Sequence, residues 1–292
     1  DDTGVSMVYF YVVDDDEELV EIALRKALYG SHPYGRDPRG TVASLGQITR
    51  DEVVAFFDEH VKCGGALVGI VGAFDGRISE DLEAMLTGIS GEPHRLVWPE
   101  PEPLGPKALF VDKPERSQCQ VRMAMRGLSR AGNDFSGFLL GNDCFGVGFQ
   151  SRLMQEIREK HGWSYFAYSA PGLSRRDTVW SLGFAPGNEY AAASVERVLV
   201  MLDEAGETGF NQGELEQMRQ ARIMGWPFVV DTVIKRLDLR MRKEWLDYDR
   251  REVTERMHGV EVGEVNAAFR QTLEHPLVTV VLGTWSEVGE SM

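Results

Sequence analysis

No apolar run in this sequence reaches the ~18 residues that a membrane-spanning helix needs, so no membrane span is expected. Cysteine is scarce. Cys63, Cys119 and Cys144 are odd in number and show no Cys-x-x-Cys spacing, which argues against a disulfide framework or a structural zinc knot. Basic charge is in the minority, with 31 Lys and Arg against 46 Asp and Glu and a formal net charge of −15. Nucleic-acid backbones and anionic membranes would be repelled by such a chain, and neither is expected as the main partner. The opening Asp-Asp-Thr-Gly has neither the basic start nor the apolar run of a secretion signal. The compartment stays open; a bacterial-type soluble one, cytoplasm or periplasm, is the expectation. No short-period repeat is present.

What is there reads as globular: 43% hydrophobic and 26% charged residues over 292 positions, enough for two ordinary domains. Residues 4–13 are rich in β-branched and aromatic side chains and predict a strand. Over 17–29 the spacing of Leu19, Ile22, Ala23, Leu24, Ala27 and Leu28 predicts an amphipathic helix. A loop follows at His32-Pro33-Tyr34-Gly35. Thr49 and Glu52 form a capping-box pair opening a helix to about 61. A short strand over 66–71 and a helix over 79–86 complete this block. Pro93, Pro99, Pro101, Pro103 and Pro106 then forbid regular helix or central strand. The expected division is a first half-domain over 1–92, a linker over 93–106 and a second half-domain over 107–292.

In the second block, strands are predicted over 107–111 and 118–125, the latter placing Cys119, Val121, Met123 and Met125 on one face. Helices follow over 135–145 and 150–160, then strands over 164–170 and 178–185. Long helical segments cover 189–207, 212–225, 229–245 and 262–273, and a strand over 277–283 closes the block. This order predicts an α+β fold of mainly antiparallel sheets covered on one face by helices. Both blocks end on a helix followed by a similar run, ALVGIVG at 66–72 and LVTVVLG at 277–283, which points to two copies of one fold.

Several catalytic patterns fail on inspection. His-x-x-Glu-His on a helix would set two imidazoles on one face beside a carboxylate base. The nearest sequence is Phe56-Phe57-Asp58-Glu59-His60, with Phe56 where the first histidine belongs. His32, His94, His161, His258 and His275 show no i, i+3 or i+4 pairing. Gly146-Val147-Gly148-Phe149-Gln150-Ser151 mimics a dinucleotide loop but follows a predicted helix and has Ser151 for the third glycine. Gly88-Ile89-Ser90-Gly91 is one residue short of a nucleophile elbow.

The segment from Ser151 to Tyr165 carries more. Ser151 is placed to cap a helix, Gly162 to end it, and the chain then turns into a strand bearing Tyr165. Arg158 in the last turn and Tyr165 on the strand are thereby brought toward the same space. A guanidinium and a phenol are donors suited to a peptide carbonyl or a developing oxyanion. On physics alone the alternative stays open: a cation complementing the helix dipole beside a half-buried tyrosine.

Ser-Arg-Leu followed by Arg-Glu-Lys-x-Gly-x-x-Tyr resembles the second half of the insulinase/pitrilysin zinc peptidases and mitochondrial processing peptidases. His32-Pro33-Tyr34-Gly35, Gly40-Thr41, Ile48-Thr49, Phe57 and Val71-Gly72-Ala73-Phe74-Asp75 resemble the family's first half-domain beyond its zinc region. The resemblance runs from about residue 17 to 286. It implies two similar half-domains and gives the substrate-binding roles to Arg158 and Tyr165. It implies no catalytic residue, no metal ligand and no cofactor in this chain, because the His-x-x-Glu-His motif is absent. Glu17, Glu18 and Glu21 take no metal role without the histidines. Zinc would belong to a partner subunit or to a missing segment. Three readings follow: a non-catalytic partner subunit, in a heterodimer with a zinc-bearing chain or in a homodimer; an incomplete piece of a complete metalloendopeptidase; or a scaffold with the peptidase fold. The first two imply a peptide or unfolded-protein substrate.

Overall fold

The computed structural model describes residues 15–89, 91–92, 99–126, 130, 134–174 and 177–288. The strand expected over 4–13 and part of the proline-rich stretch lie outside them. Along the chain come α1 (Asp16–Tyr29), α2 (Arg50–His60), α3 (Ile78–Thr87), β1 (Lys107–Asp112) and β2 (Gln120–Arg126). After these come α4 (Asp134–Gly146) and α5, which is α-helical over Arg152–Met154 and π-helical over Gln155–Lys160. Then follow β3 (Ser164–Leu173), β4 (Thr178–Pro186), α6 (Ala191–Thr208), α7 (Gln212–Val229) and α8 (Val233–Leu246). The last are α9 (Arg250–Arg256), α10 (Val262–Leu273) and β5 (Leu277–Gly283). No described helix is long and apolar enough to cross a membrane.

The fold is α+β, and the chain gathers into two compact units. The larger comprises residues 1–36, 101–226 and 249–292. Its sheet has the order β1-β5-β2-β4-β3, with β1 parallel to β5 and every other pair antiparallel. Strands β2 and β5 lie in the interior and are buried on both sides. On one side Ala124, Val278, Val280 and Leu282 pack against Val20, Leu24, Ala27 and Leu28 of α1. On the other, Trp180 of β4 meets Phe138 and Phe145 of α4 and Phe269 of α10, with ring centroids 5.2–6.1 Å apart. Helices thus cover the sheet on both faces, not one. The reason is the double-sided burial of the central strands, which leaves neither face fit for water.

Helix α4 can approach this core because it is narrow. A Cβ added at Gly141 would stand 2.9 Å from the Phe269 ring, and one at Gly146 would meet the Ser169 hydroxyl at 2.3 Å. Its polar side chains are satisfied inside. Asn142 Oδ1 accepts from Trp180 Nε1 at 2.8 Å and from Ser169 Oγ at 2.8 Å. Asp143 pairs with Arg222 of α7, whose Nη2 donates at 2.8 Å. Burial pushes the Asp143 carboxyl up, and the Arg222 guanidinium works against that push. Unpaired, such a carboxylate would be costly this deep.

The division by contacts runs differently from the expected 1–92, 93–106 and 107–292. Helix α1 belongs by sequence to the first block, yet its apolar stripe caps the sheet of the second. Residues 37–100 and 227–248 form the smaller unit, with α2, α3 and α8. Residues 66–71, where a strand was expected, have no ladder partner among the described residues, so the expected second sheet is not found there. Apolar alternation marks a segment able to be a strand, but a strand exists only where a neighbour supplies N–H and C=O groups. Side chains at 237 and 241 of α8 crowd Gly69, where a Cβ would stand 2.6 Å from the Met241 sulfur. No described residue of this unit is buried, and Val53, Phe56, Phe57, Val68, Phe74, Ile234 and Trp245 are all exposed.

A core-truncation pair tests this arrangement. Leu24→Ala, at a side chain 2% exposed, is expected to cost about 2–5 kcal/mol in urea unfolding. Phe56→Ser, at a side chain 62% exposed, is expected to stay within about 0.5 kcal/mol. Equal effects would mean that α1 does not cover the sheet.

Candidate substrate-binding site

The segment from Gly146 to Tyr165 folds as a turn, a helix and a strand. Gly148 takes φ +79°, a turn conformation that suits glycine. Ser151 caps α5: its hydroxyl accepts from the Met154 N–H at 3.4 Å and donates to the Gly148 carbonyl at 2.8 Å. Leu153 and Ile157, fully buried, anchor the inner face. Beyond Met154 the helix widens to the π form, and the His161 N–H reaches back to the Glu156 carbonyl at 3.3 Å. Short π stretches are frequent at functional sites because one extra residue re-aims the side chains that follow. The sequence predicted an ordinary last α-turn here, since the residues have good helix propensity and nothing local announces the widening. Gly162, at φ +64°, ends the helix, and the Trp163 N–H donates to the Ile157 carbonyl at 3.0 Å.

Arg158 and Tyr165 meet. The guanidinium carbon lies 4.8 Å from the centroid of the Tyr165 ring and 5.0 Å from that of Phe149. The cation therefore lies close to two aromatic rings, a geometry that favours cation–π attraction. A register shift between Ser164 and Ala167 displaces Tyr165 from the regular ladder, and 80% of the residue is exposed. The Arg158 side chain retains 28% of its exposure, with Nε 3.5 Å from Glu159 Oε1. Both donors are open to solvent, so the pair is neither a dry core contact nor a half-buried tyrosine beside a helix end.

Two further residues matter that the sequence reading did not single out. Phe149, 62% exposed, has its ring beside the Arg158 guanidinium, and its carbonyl accepts from Gln155 Nε2 at 2.6 Å. An aromatic residue inside a glycine turn was the available signal. Glu156 ties α5 to α6: its carboxylate accepts from Lys160 Nζ at 2.8 Å and Arg197 Nε at 2.7 Å, with His161 Nε2 at 3.3 Å. Partners 41 residues away in sequence give no local signal. Arg152 adds a second tie, donating to Glu214 of α7 at 2.6 and 2.9 Å and to the Gly209 carbonyl at 2.7 Å.

The other singled-out residues serve structure. His32 is buried, and its Nδ1 accepts the Tyr34 N–H at 3.1 Å. The rings of Tyr29, His32 and Tyr34 pack together, and the Tyr29 hydroxyl donates to Asp177 at 3.0 Å. Burial and the Asp177 charge push the Tyr29 phenol well above its ordinary range. Glu17 and Glu21 face the buried Arg122 guanidinium, with Glu21 Oε1 at 2.9 Å from its Nε. The donor set does not fit zinc. Phe56 occupies the first histidine position and its ring lies 4.4 Å from that of His60, and no group of three potential ligands converges among the described residues.

The described residues form α+β layers that carry an exposed Arg/Tyr pair. The family pattern described as the peptidase M16 inactive domain matches residues 47–222, more than half the chain, and the chain belongs to that family. It is 29% identical to an uncharacterized zinc protease of Streptomyces coelicolor over 169 residues, 53% of this chain and 36% of that protein. It is 25% identical to an uncharacterized zinc protease of Mycobacterium tuberculosis over 284 residues, 92% of this chain and 63% of that protein. The crystal structure of a peptidase M16 inactive domain from Pseudomonas fluorescens superposes with a TM-score of 0.85 at 22% identity, covering 97% of this chain and 68% of that one. The chain thus spans between about a third and two thirds of these curated relatives.

The Glu156 clamp makes a testable pH dependence. Burial alone would raise this carboxyl, but hydrogen bonds from Lys160 and Arg197 and their charges outweigh it and hold the value at about 2, against an ordinary 4.5. A depressed folded-state value means the stabilisation is present above the unfolded value and is lost as pH falls toward the folded one. The stability gap between the native chain and Glu156→Gln is therefore expected to be constant from pH 7 to 5 and to shrink between pH 4.5 and 2. Urea midpoints across that range check it. A gap that does not change would mean the carboxylate is not clamped.

Proposed function

We propose that this chain is the non-catalytic, Arg/Tyr-bearing part of an M16-type zinc peptidase, holding the peptide substrate and closing the chamber around it. The observation that carries this reading is the Arg158 guanidinium close to two exposed rings, one of which presents the Tyr165 hydroxyl. An extended peptide has unpaired main-chain carbonyls, and these are what Arg158 N–H groups and a phenol can grip without regard to sequence. As a scissile carbonyl becomes tetrahedral, a donor already aimed at its oxygen gains strength at that moment. This chain's residues bind and orient; none of them supplies the attacking water or its base. The zinc of such an enzyme would come from a partner subunit or from polypeptide outside these residues.

The apolar surface of the smaller unit favours an assembly. Phe56, Phe57, Val68 and Ile234 lie exposed in a unit in which no described residue is buried, the kind of surface that association covers. That covering polypeptide is either a zinc-bearing partner, a second copy of this chain, or the remainder of one longer enzyme. The incomplete-enzyme reading uses the same Arg158 and Tyr165 chemistry in one chain. A scaffold with the same fold would use neither residue.

Reconstitution separates these readings. With a zinc-bearing M16 subunit or the restored longer chain, cleavage of an unfolded protein is expected to fall on the order of 10²-fold in Tyr165→Phe, with the fold unchanged by circular dichroism. Arg158→Ala is expected to weaken peptide binding as well, because several donors are lost together. Full activity in both variants would leave the chain as a scaffold.

A further inference from the structure

The larger unit holds a cavity of about 630 Å³ whose lining includes neither Arg158 nor Tyr165. It lies where α6 meets the end of α10 and the start of β5. Leu199, Leu202, Asp203, Gly206 and Glu207 line it from α6, and their spacing of three and four residues puts them on one face of that helix. Leu273, His275 and Leu277 line it from the connection between α10 and β5, and Met125 lies across from Leu277 in the sheet register. The volume is in the range of a small-molecule site. Gly206 keeps the space open: a Cβ there would stand 3.1 Å from Leu273 Cδ1, so a side chain at this position would grow against Leu273.

The lining has two chemical characters. Met125 and Leu202 are each 4% exposed and make an apolar floor. Asp203 and Glu207 are exposed and stand one helical turn apart, a spacing at which like charges repel. The next carboxylate on the same helix is matched, Glu204 with Arg197 at 3.0 Å. Asp203 and Glu207 have no ion-pair or hydrogen-bond partner among the described residues. Arg270 donates its Nε to the Gly206 carbonyl at 2.9 Å and pairs with neither carboxylate, so the rim keeps a surplus of negative charge. A bare metal ion does not suit this lining, because no group of three potential ligands converges among the described residues. An organic cation does. Its apolar body would displace water from the floor, and its charge would stay at the rim and relieve the repulsion between the two carboxylates.

We infer that this cavity is a binding site for a small amphipathic amine, a protonated amino group on an aromatic or branched apolar body. The body rests on Met125 and Leu202, and the charge lies beside Asp203 and Glu207. The site shares no residue with the Arg158 and Tyr165 pair and does not depend on the peptide-binding reading.

The test uses the 292-residue chain and three indoles of similar shape: tryptamine, which is cationic, 3-methylindole, which is neutral, and indole-3-propionate, which is anionic. Ligand-observed NMR titrations at pH 7.5 give their relative affinities. Tryptamine is expected to bind roughly 3- to 10-fold more tightly than 3-methylindole, the range of two solvent-exposed ion pairs, and indole-3-propionate most weakly. The double variant Asp203→Asn/Glu207→Gln is expected to abolish the preference for the amine and leave 3-methylindole unchanged. Gly206→Leu, which fills the space, is expected to weaken all three ligands with the far-ultraviolet circular dichroism unchanged. Leu199→Gln, at a side chain 38% exposed, is expected to weaken all three as well and covers the case in which Gly206→Leu fails to fold. Equal binding of the amine and the neutral indole, or a preference that survives the double variant, overturns the inference. So does tryptamine binding that neither cavity variant weakens, or no tryptamine binding at all. Binding of an acetylated glycine-serine hexapeptide with one central lysine as tightly as tryptamine would make the occupant a protein segment, and the inference falls.

Discussion

Everything in the larger unit answers to one constraint: strands β2 and β5 are buried on both faces and must be covered twice. Val121, Met123 and Met125 point to one side, Ala124 to the other with Val278, Val280 and Leu282, and all seven are buried. Leaving either face in water would forgo on the order of 1.5–3 kcal/mol for each large side chain. The aromatic layer of α4 and α10 meets one side. Helix α1 meets the other, and the polar groups on that side are arranged around it. Arg122, buried in the sheet, is paired by Glu21, and the Arg126 guanidinium stacks 5.3 Å from the Tyr29 ring.

Covering the sheet in this way also sets the candidate site. Helix α4 comes close through its glycines, and the chain leaving it turns at Gly148 into α5. That short helix is pinned by ion pairs to two longer ones, through Glu156 to α6 and through Arg152 to α7. Its π-helical stretch and the displaced start of β3 then bring Arg158 and Tyr165 together at the surface. Rigid elements supply the precision, while the two donors stay open to solvent. Loops alone would leave both side chains free to wander, and binding would have to bear the entropy of ordering them.

The two units carry opposite messages about self-sufficiency. One has a dense core in which the buried Asn142 and Asp143 side chains are paired. In the other, α2 is capped well by Thr49 and Glu52, yet its Val53, Phe56 and Phe57 are all exposed. Good local signals with an uncovered apolar face are what an element looks like when its packing partner is elsewhere. The match to the M16 inactive-domain family, over residues 47–222, takes in parts of both units.

Much of this was legible from residues alone, because it depends on short-range rules. Helical periodicity located α1, α4, α6 and α10; strand composition located β1 to β5; and Ser151 and Gly162 bounded the helix that carries Arg158. The absence of a paired histidine at residue 56 was equally plain. Tertiary structure decided the rest. That α1 caps the second block's sheet follows from which apolar faces meet, and residues 66–71 show that a strand-like pattern without a partner forms no strand. The π widening of α5, the clamp between Glu156 and Arg197, and the placement of Phe149 against Arg158 all depend on contacts across the fold. Local sequence encodes propensity and periodicity, whereas these features arise from the close approach of groups that the chain separates.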